Sequence, residues 1–163
     1  MFATALPQSP SKAALYEELL PLARALFEGE RDFLANSANL AALLYHSLPE
    51  LNWAGFYWLR GKELVLGPFQ GRPACVRIGL GKGVCGTAAA ECRTVIVPDV
   101  NAFAGHIACD SASRSELVVP VMQGGKVLGV LDLDSPRKER FTAEDAAALE
   151  AVVAAFVEAT DLA

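Results

Sequence analysis

Apolar side chains recur at helical spacing over residues 12–28, where Leu15, Leu19, Leu22 and Leu26 share one face. Pro21 falls inside this stretch and predicts a kink or a division of the helix. Residues 31–47 predict a second helix, with Phe33, Leu40 and Leu44 along one stripe. The texture then changes to period two. Residues 52–59 are aromatic and strand-like, with Trp53 and Tyr57 on one side and Phe56 and Trp58 on the other. Arg60-Gly61-Lys62 makes a turn, and residues 63–69 return as a hairpin partner. A short strand is expected over 74–78, a short helix over 84–91 after the Gly81–Gly83 loop, and a strand over 94–97 ended by Pro98. Residues 98–113 lack periodicity and read as a long loop, the kind that usually serves function in a compact domain. Strands 117–122 and 127–134 are joined by the Gly124-Gly125 turn. Thr142 and Asp145 have the spacing of a capping box opening a last helix through Phe156.

This order predicts an α+β fold with an antiparallel sheet, helices from both ends of the chain packed over one face, and loops on the other. No repeat or linker interrupts the 163 residues, so one domain over 1–163 is expected, with residues 1–10 extended or poorly ordered. Apolar residues make up 53% and mean hydropathy is +0.31, which excludes general disorder. The formal net charge is −5 and the basic residues look scattered, with a local cluster only at 137–140. An acidic chain without a basic stripe is a poor partner for nucleic acid. No apolar run reaches membrane-spanning length, and the N-terminus lacks the charged and apolar regions of a signal peptide. The expected compartment is the cytoplasm, where Cys75, Cys85, Cys92 and Cys109 rest as thiols and a disulfide among them would be catalytic rather than structural.

Three of those cysteines sit in punctuated loops, which favour reactive thiolates that can relay oxidation. Cys75 follows Arg72-Pro73-Ala74 at a plausible mobile position, Cys109 lies in the long loop, and Cys85 follows Gly81-Lys82-Gly83. A helix N-terminus at Cys85 would lower its pKa. Cys92, near a helix end, reads as a small buried hydrophobe. Zinc is the rival for a Cys/His set that includes His106, but no close ligand pair of the Cys-x-x-Cys type is present. Asp132 and Asp134 point to one sheet face, and with Glu116 on a neighbouring strand they suggest an acidic pocket floor suited to an ammonium ligand or to proton transfer. Like-charge repulsion and desolvation there should keep at least one acid protonated.

The segments 52–57, 67–71, 83–87, 105–110 (Gly-His-Ile-Ala-Cys-Asp), 115–120 and 129–136 together closely resemble the free methionine-(R)-sulfoxide reductases, stand-alone GAF-domain enzymes. The resemblance implies a six-stranded antiparallel sheet with flanking helices and often a homodimer. It implies Cys109 as nucleophile, Cys75 as the usual resolving partner and Cys85 as a further redox-active thiol. It places substrate at Glu116, Asp132, Asp134, Trp53 and Tyr57; for a free amino-acid sulfoxide, Glu116 and Asp134 are favoured as proton donors at the oxygen and Asp132 at the ammonium group. The implied reaction reduces free L-methionine (R)-sulfoxide through a sulfenic acid and an intramolecular disulfide, with a thioredoxin-type reductant and no metal or organic cofactor. Asn101 and Ala104 depart from the family pattern, which has His and Pro there. The alternatives are a non-catalytic GAF small-molecule sensor and a bilin-carrying GAF domain; both usually sit in longer chains.

Overall fold

Side-chain oxygens at the helix starts show why the first two helices begin where they do. Ser11 Oγ accepts from the Ala14 amide and opens α1, Lys12–Phe27; Asp32 Oδ1 accepts from the Ala35 amide and opens α2, Phe33–Ser47. The computed structural model describes residue 7 and residues 11–107 and 109–162, so the expectation for the N-terminal segment 1–10 lies outside the described residues except at Pro7. The remaining elements are β1 Trp53–Arg60, β2 Glu63–Gly71, β3 Arg77–Gly79, α3 Gly83–Glu91, β4 Val95–Val97, β5 Ser115–Gln123, β6 Lys126–Ser135 and α4 Ala143–Ala159. A single 3-10 turn, Val100–Ala102, interrupts the long loop.

The strands form one six-stranded sheet in the order β3-β2-β1-β6-β5-β4, with every neighbouring pair antiparallel. Alternation divides its side chains between two cores. Ala54, Phe56, Trp58, Leu117, Val119, Val121, Leu131 and Leu133 meet α1, α2 and α4 on one face. Trp53, Tyr57, Val118 and Val130 meet α3 on the other. Phe156 of α4 reaches Phe56 at 5.2 Å and Phe27 at 5.8 Å between ring centroids, which ties the terminal helices to the sheet. Among the described residues, no helix is long and apolar enough to cross a membrane.

Three details depart from the sequence reading. Helix α1 continues through Pro21. That residue is exposed, so the carbonyl left without its amide partner can be satisfied by water. The buried stripe of α1 is Leu15, Leu19, Ala23 and Phe27 with Tyr16, whereas Leu22 and Leu26 lie at its half-buried margin. The strand expected over 74–78 starts only at Arg77. Pro73 has no amide to donate and Cys75 is tied elsewhere, so 72–76 is a loop whose one link to β2 is Leu66 N–H to Val76 C=O at 3.0 Å.

Helix α4 carries the expected capping box, and its Asp145 does more than cap. This fully buried carboxylate accepts from Lys12 Nζ at 2.7 Å, Tyr16 Oη at 2.7 Å, Arg140 Nη1 at 2.8 Å and the Thr142 amide at 2.7 Å. One acid thereby fastens α1 and the β6–α4 connection to the start of α4.

Candidate active site

On the face opposite the three large helices, β1, β6 and β5 bring Trp53, Asp134 and Glu116 into line, since Trp53 pairs with Asp134 and Asp134 with Glu116. Two residues earlier on β6, Asp132 lies between Gly55 and Val118. Alternation sends both aspartates to the same side as Glu116. They form part of the lining of a cavity of about 520 Å³, solvent at its mouth included, closed above by the start of α3, residues 72–74, and His106, Ile107 and Cys109.

An aromatic wall stands beside these acids. Trp53 stacks on Tyr57 at 5.8 Å and on Phe69 at 5.3 Å. The polar ends of the rings hold the loop above: Trp53 Nε1–H donates to the Arg72 carbonyl at 3.1 Å, and Tyr57 O–H to the Cys75 carbonyl at 3.1 Å. The same rings therefore wall the pocket and fix the backbone that presents Cys75. Burial, with the acids next to it, pushes the Tyr57 hydroxyl far above its usual range, so it stays a donor.

Cys75 and Cys109 form a disulfide with Cα atoms 5.6 Å apart, and the Cys75 amide donates to Cys109 Sγ at 3.3 Å. Cys109 is exposed and lines the cavity mouth, and Cys75, half-buried, is bonded to it from just behind the lining residue Ala74. Cys85 lies beneath them in the first turn of α3 as a free, buried thiol 3.9 Å from Glu116 Oε1. Its placement at a helix N-terminus is as expected; the expected fall in pKa is not. Burial first, and then Asp132 and Glu116, push the Cys85 thiol well up. Gly86 behind it is required by close packing, because a Cβ there would collide with the Gly79 carbonyl oxygen.

The three carboxyl groups are almost completely enclosed, and each is pushed well up, chiefly by burial. Asp134 adds to the shift of Glu116, Glu116 to that of Asp132, and Asp132 to that of Asp134. No lysine or arginine touches them among the described residues. Asp132 Oδ1 is buried without a hydrogen-bond partner there. His106 Nε2 comes within 3.5 Å of Glu116 Oε2, and burial lowers the imidazole pKa, which leaves it neutral at neutral pH.

The structure thus brings Cys109, Cys85, Glu116, Asp132, Asp134, Trp53 and Tyr57 to the lining of one cavity, while Cys75 joins them only through its bond to Cys109. Sequence reasoning used His106 only as a zinc candidate; its position three residues before Cys109 was the signal that it shares the site. Asn52 was also missed as a support. Its amide donates to Asp110 Oδ2 at 3.1 Å and Ser113 Oγ at 3.0 Å, steadying the chain after Cys109. Asn101 and Ala104 do not line the cavity. Cys92 is not the buried hydrophobe expected: it is the exposed C-cap of α3, in the left-handed region at φ 52°. The helix ends there, and the turn toward β4 leaves its side chain at the surface.

The Cys/His zinc set is not assembled, because two of its thiols are joined to each other. Cys85, Glu116 and Asp132 do place ligand atoms within 4.8 Å of one another. A divalent ion there would have to displace protons from groups whose pKa values burial raises.

The sequence pattern of the GAF domain matches residues 35–161. A protein of Bacillus subtilis (strain 168), YtsP, is 59% identical over 136 residues, covering 82% of this chain and 83% of that protein. The free methionine-R-sulfoxide reductase of Escherichia coli (strain K12) is 51% identical over 144 residues, covering 88% and 87%. The X-ray structure of free methionine-R-sulfoxide reductase from Neisseria meningitidis in complex with its substrate aligns with a TM-score of 0.93 at 45% identity, over 98% of this chain and 95% of that one.

Proposed function

The chain belongs to the GAF-domain free methionine-R-sulfoxide reductase family, and from that premise we propose that it reduces free L-methionine (R)-sulfoxide to L-methionine as a single GAF domain. The observation that carries this reading is a redox pair, Cys75–Cys109, at the mouth of a pocket floored by three carboxyls that have no lysine or arginine beside them among the described residues. The ammonium of a free amino acid supplies the missing charge. Its arrival beside Asp132 Oδ1 gives that atom a donor and draws the carboxyl to its ionised form. Trp53 and Tyr57 take the S-methyl end.

In the reduced enzyme the Cys109 thiolate attacks the sulfoxide sulfur while Glu116, held protonated beside Asp134, delivers a proton to the oxygen. Methionine leaves and Cys109 carries the oxygen as a sulfenic acid. The Cys75 thiol condenses with it, water departs, and the disulfide of this structure results. Cys85 is the reserve thiol: its raised pKa keeps it unreactive until it is exposed or deprotonated. A thioredoxin-type dithiol returns the two electrons. We place the enzyme in the cytoplasm, where such a reductant is available, and infer a homodimer from the family resemblance.

The test is NADPH consumption in a thioredoxin-coupled assay with each epimer of free methionine sulfoxide and with oxidised protein. Turnover of the free R epimer alone is expected, abolished in a folded Cys109→Ser variant. Comparable rates on oxidised protein or on the S epimer would reject the reading.

A further inference from the structure

The basic residues of this chain are not scattered in space. Between Glu50 and Glu91 it carries Arg60, Lys62, Arg72, Arg77 and Lys82 but a single acid, Glu63, although the whole chain has net charge −5. Arg72, Arg77 and Lys82 lie on the segments next to the disulfide, and Lys62 lies farther along the same edge beside Leu80. Arg72 lines the cavity mouth with its side chain 76% exposed. Arg77 begins the edge strand β3 two residues after Cys75 and is paired with Glu63 at 3.2 Å, so among the described residues the unpaired positive charge of the rim rests on Lys82 and Lys62. Lys82 is the exposed N-cap of α3, beside the pocket-lining Gly83. Lys62, in the β1–β2 turn, receives the Leu80 amide on its carbonyl at 3.3 Å.

Exposed apolar side chains gather on the same segments. Among the described residues the large exposed hydrophobics are Leu34, Val76, Leu80 and Ile107. Val76 adjoins Cys75 and is 64% exposed. Ile107 lies over Gly83, where a Cβ would come within 3.2 Å of its Cδ1, and is two residues from Cys109. Leu80 sits in the turn that delivers Gly83. Large apolar groups left in water around a functional bond commonly mark a surface that a partner covers.

We propose that this surface, Val76 and Arg77 beside the Cys75–Cys109 bond with Lys82, Leu80 and Lys62 extending it along the edge, is the docking face for a protein dithiol reductant whose own active-site face is apolar and rimmed by acidic residues. It rests on the reductase reading above and gives the reductant a place to bind. Charge complementarity selects the partner: a basic rim on an otherwise acidic protein attracts an acidic face and repels none of its own. The exposed position of Cys109 sets the chemistry. A partner thiolate attacks its sulfur, a mixed disulfide forms, and the Cys75 sulfur leaves as a thiolate that takes up a proton. The partner's second thiolate then breaks the mixed disulfide. Cys109 is released reduced, and the partner departs as a disulfide having given up two electrons.

The test compares two reductants on the full-length protein. A negatively charged thioredoxin with its reductase and NADPH is one; dithiothreitol, which needs no docking face, is the other. In the double variant Val76→Asp, Lys82→Glu, kcat/KM for thioredoxin should fall about tenfold while dithiothreitol-supported turnover stays within about twofold of wild type. Added salt should weaken thioredoxin turnover in wild type and much less in the variant. Equal rates of variant and wild type with thioredoxin would overturn the proposal, as would equal losses with both reductants. If Val76→Asp splits a dimer and leaves thioredoxin kinetics intact, the patch is a subunit interface and the proposal falls. Absence of dithiothreitol-supported turnover in wild type would instead remove the reductase reading, and this surface with it.

Discussion

Two sets of buried acids lie on opposite faces of one sheet and are treated in opposite ways. Asp145, on the helix face, is surrounded by donors: Lys12, Tyr16, Arg140 and the Thr142 amide. Burial alone would raise its pKa, but these partners together hold it well below the usual carboxylate range. Glu116, Asp132 and Asp134, on the pocket face, have one another, a buried thiol and a neutral imidazole, and all are pushed up. The same residue type thus serves as an ionic fastener where cations converge and as a proton store where they are withheld. Burial does not decide which; the neighbours do. The comparison also separates stability from function, because the fastener is optimised for folding while the store keeps a folding cost that catalysis needs.

Glu116→Gln gives the largest expected effect. It keeps the shape but removes the proton, so single-turnover oxidation of Cys109 should fall by roughly 10²–10⁴, the range for lost acid catalysis. Thermal unfolding at neutral pH should be unchanged or shifted upward. Rapid quench with mass analysis of Cys109 reads the first, and calorimetry the second. Oxidation at the wild-type rate would pass the donor's role to Asp134.

The mirror experiment is Asp145→Asn. It leaves Arg140 buried with too little negative charge, and loss of one partner from a buried ion pair costs about 3–5 kcal/mol. Denaturant titration should show that loss, while activity per folded molecule stays near wild type. A collapse of activity in folded protein would mean that the two acid sets are coupled through the sheet.

Proton linkage should divide the two sets by pH. An unfolded carboxyl titrates near pH 4, about its ordinary value. Asp145 is lowered in the fold, so its contribution is present above that value and is lost as pH falls through it. The pocket acids are raised, so as pH rises from about 4 toward their folded values the unfolded state sheds protons that the folded state keeps, and stability declines. Wild-type stability should therefore bend down on both sides. Asp145→Asn should flatten the acid limb and Glu116→Gln the other. A Glu116→Gln profile parallel to wild type above pH 4 would show that the pocket acid is not raised.

Much of this division was legible in the sequence, and the part that was not has a common cause. Alternation in β1 separated Trp53 and Tyr57 from Phe56 and Trp58, and period two placed Asp132 with Asp134, because strand geometry is local. The capping box at Thr142 and Asp145 was visible for the same reason. What joins distant segments was not. Nothing within a few residues of Asp145 announces Lys12 or Tyr16, and nothing near Cys85 announces the burial, with the carboxyls beside it, that overrules the helix dipole. Cys92 looked buried from its helix and was turned out by a left-handed cap. The basic rim looked scattered because a hairpin, an edge strand and a helix cap gather it only in three dimensions.

Asp132→Asn carries the smallest expected effect and cuts most finely between the two roles. Asp132 is assigned to the ammonium group rather than to the reacting oxygen, so an amide there should raise KM about tenfold and change kcat less, the pattern of lost ground-state binding. The substitution also takes one raised acid out of the buried set, leaving Asp134 with less repulsion. The protein should then unfold at a higher temperature at neutral pH while binding its substrate less well. Steady-state kinetics and a melting curve on the same preparation read both. A fall in kcat as large as that of Glu116→Gln, with KM unmoved, would place Asp132 at the sulfoxide and merge the ammonium site with the proton store.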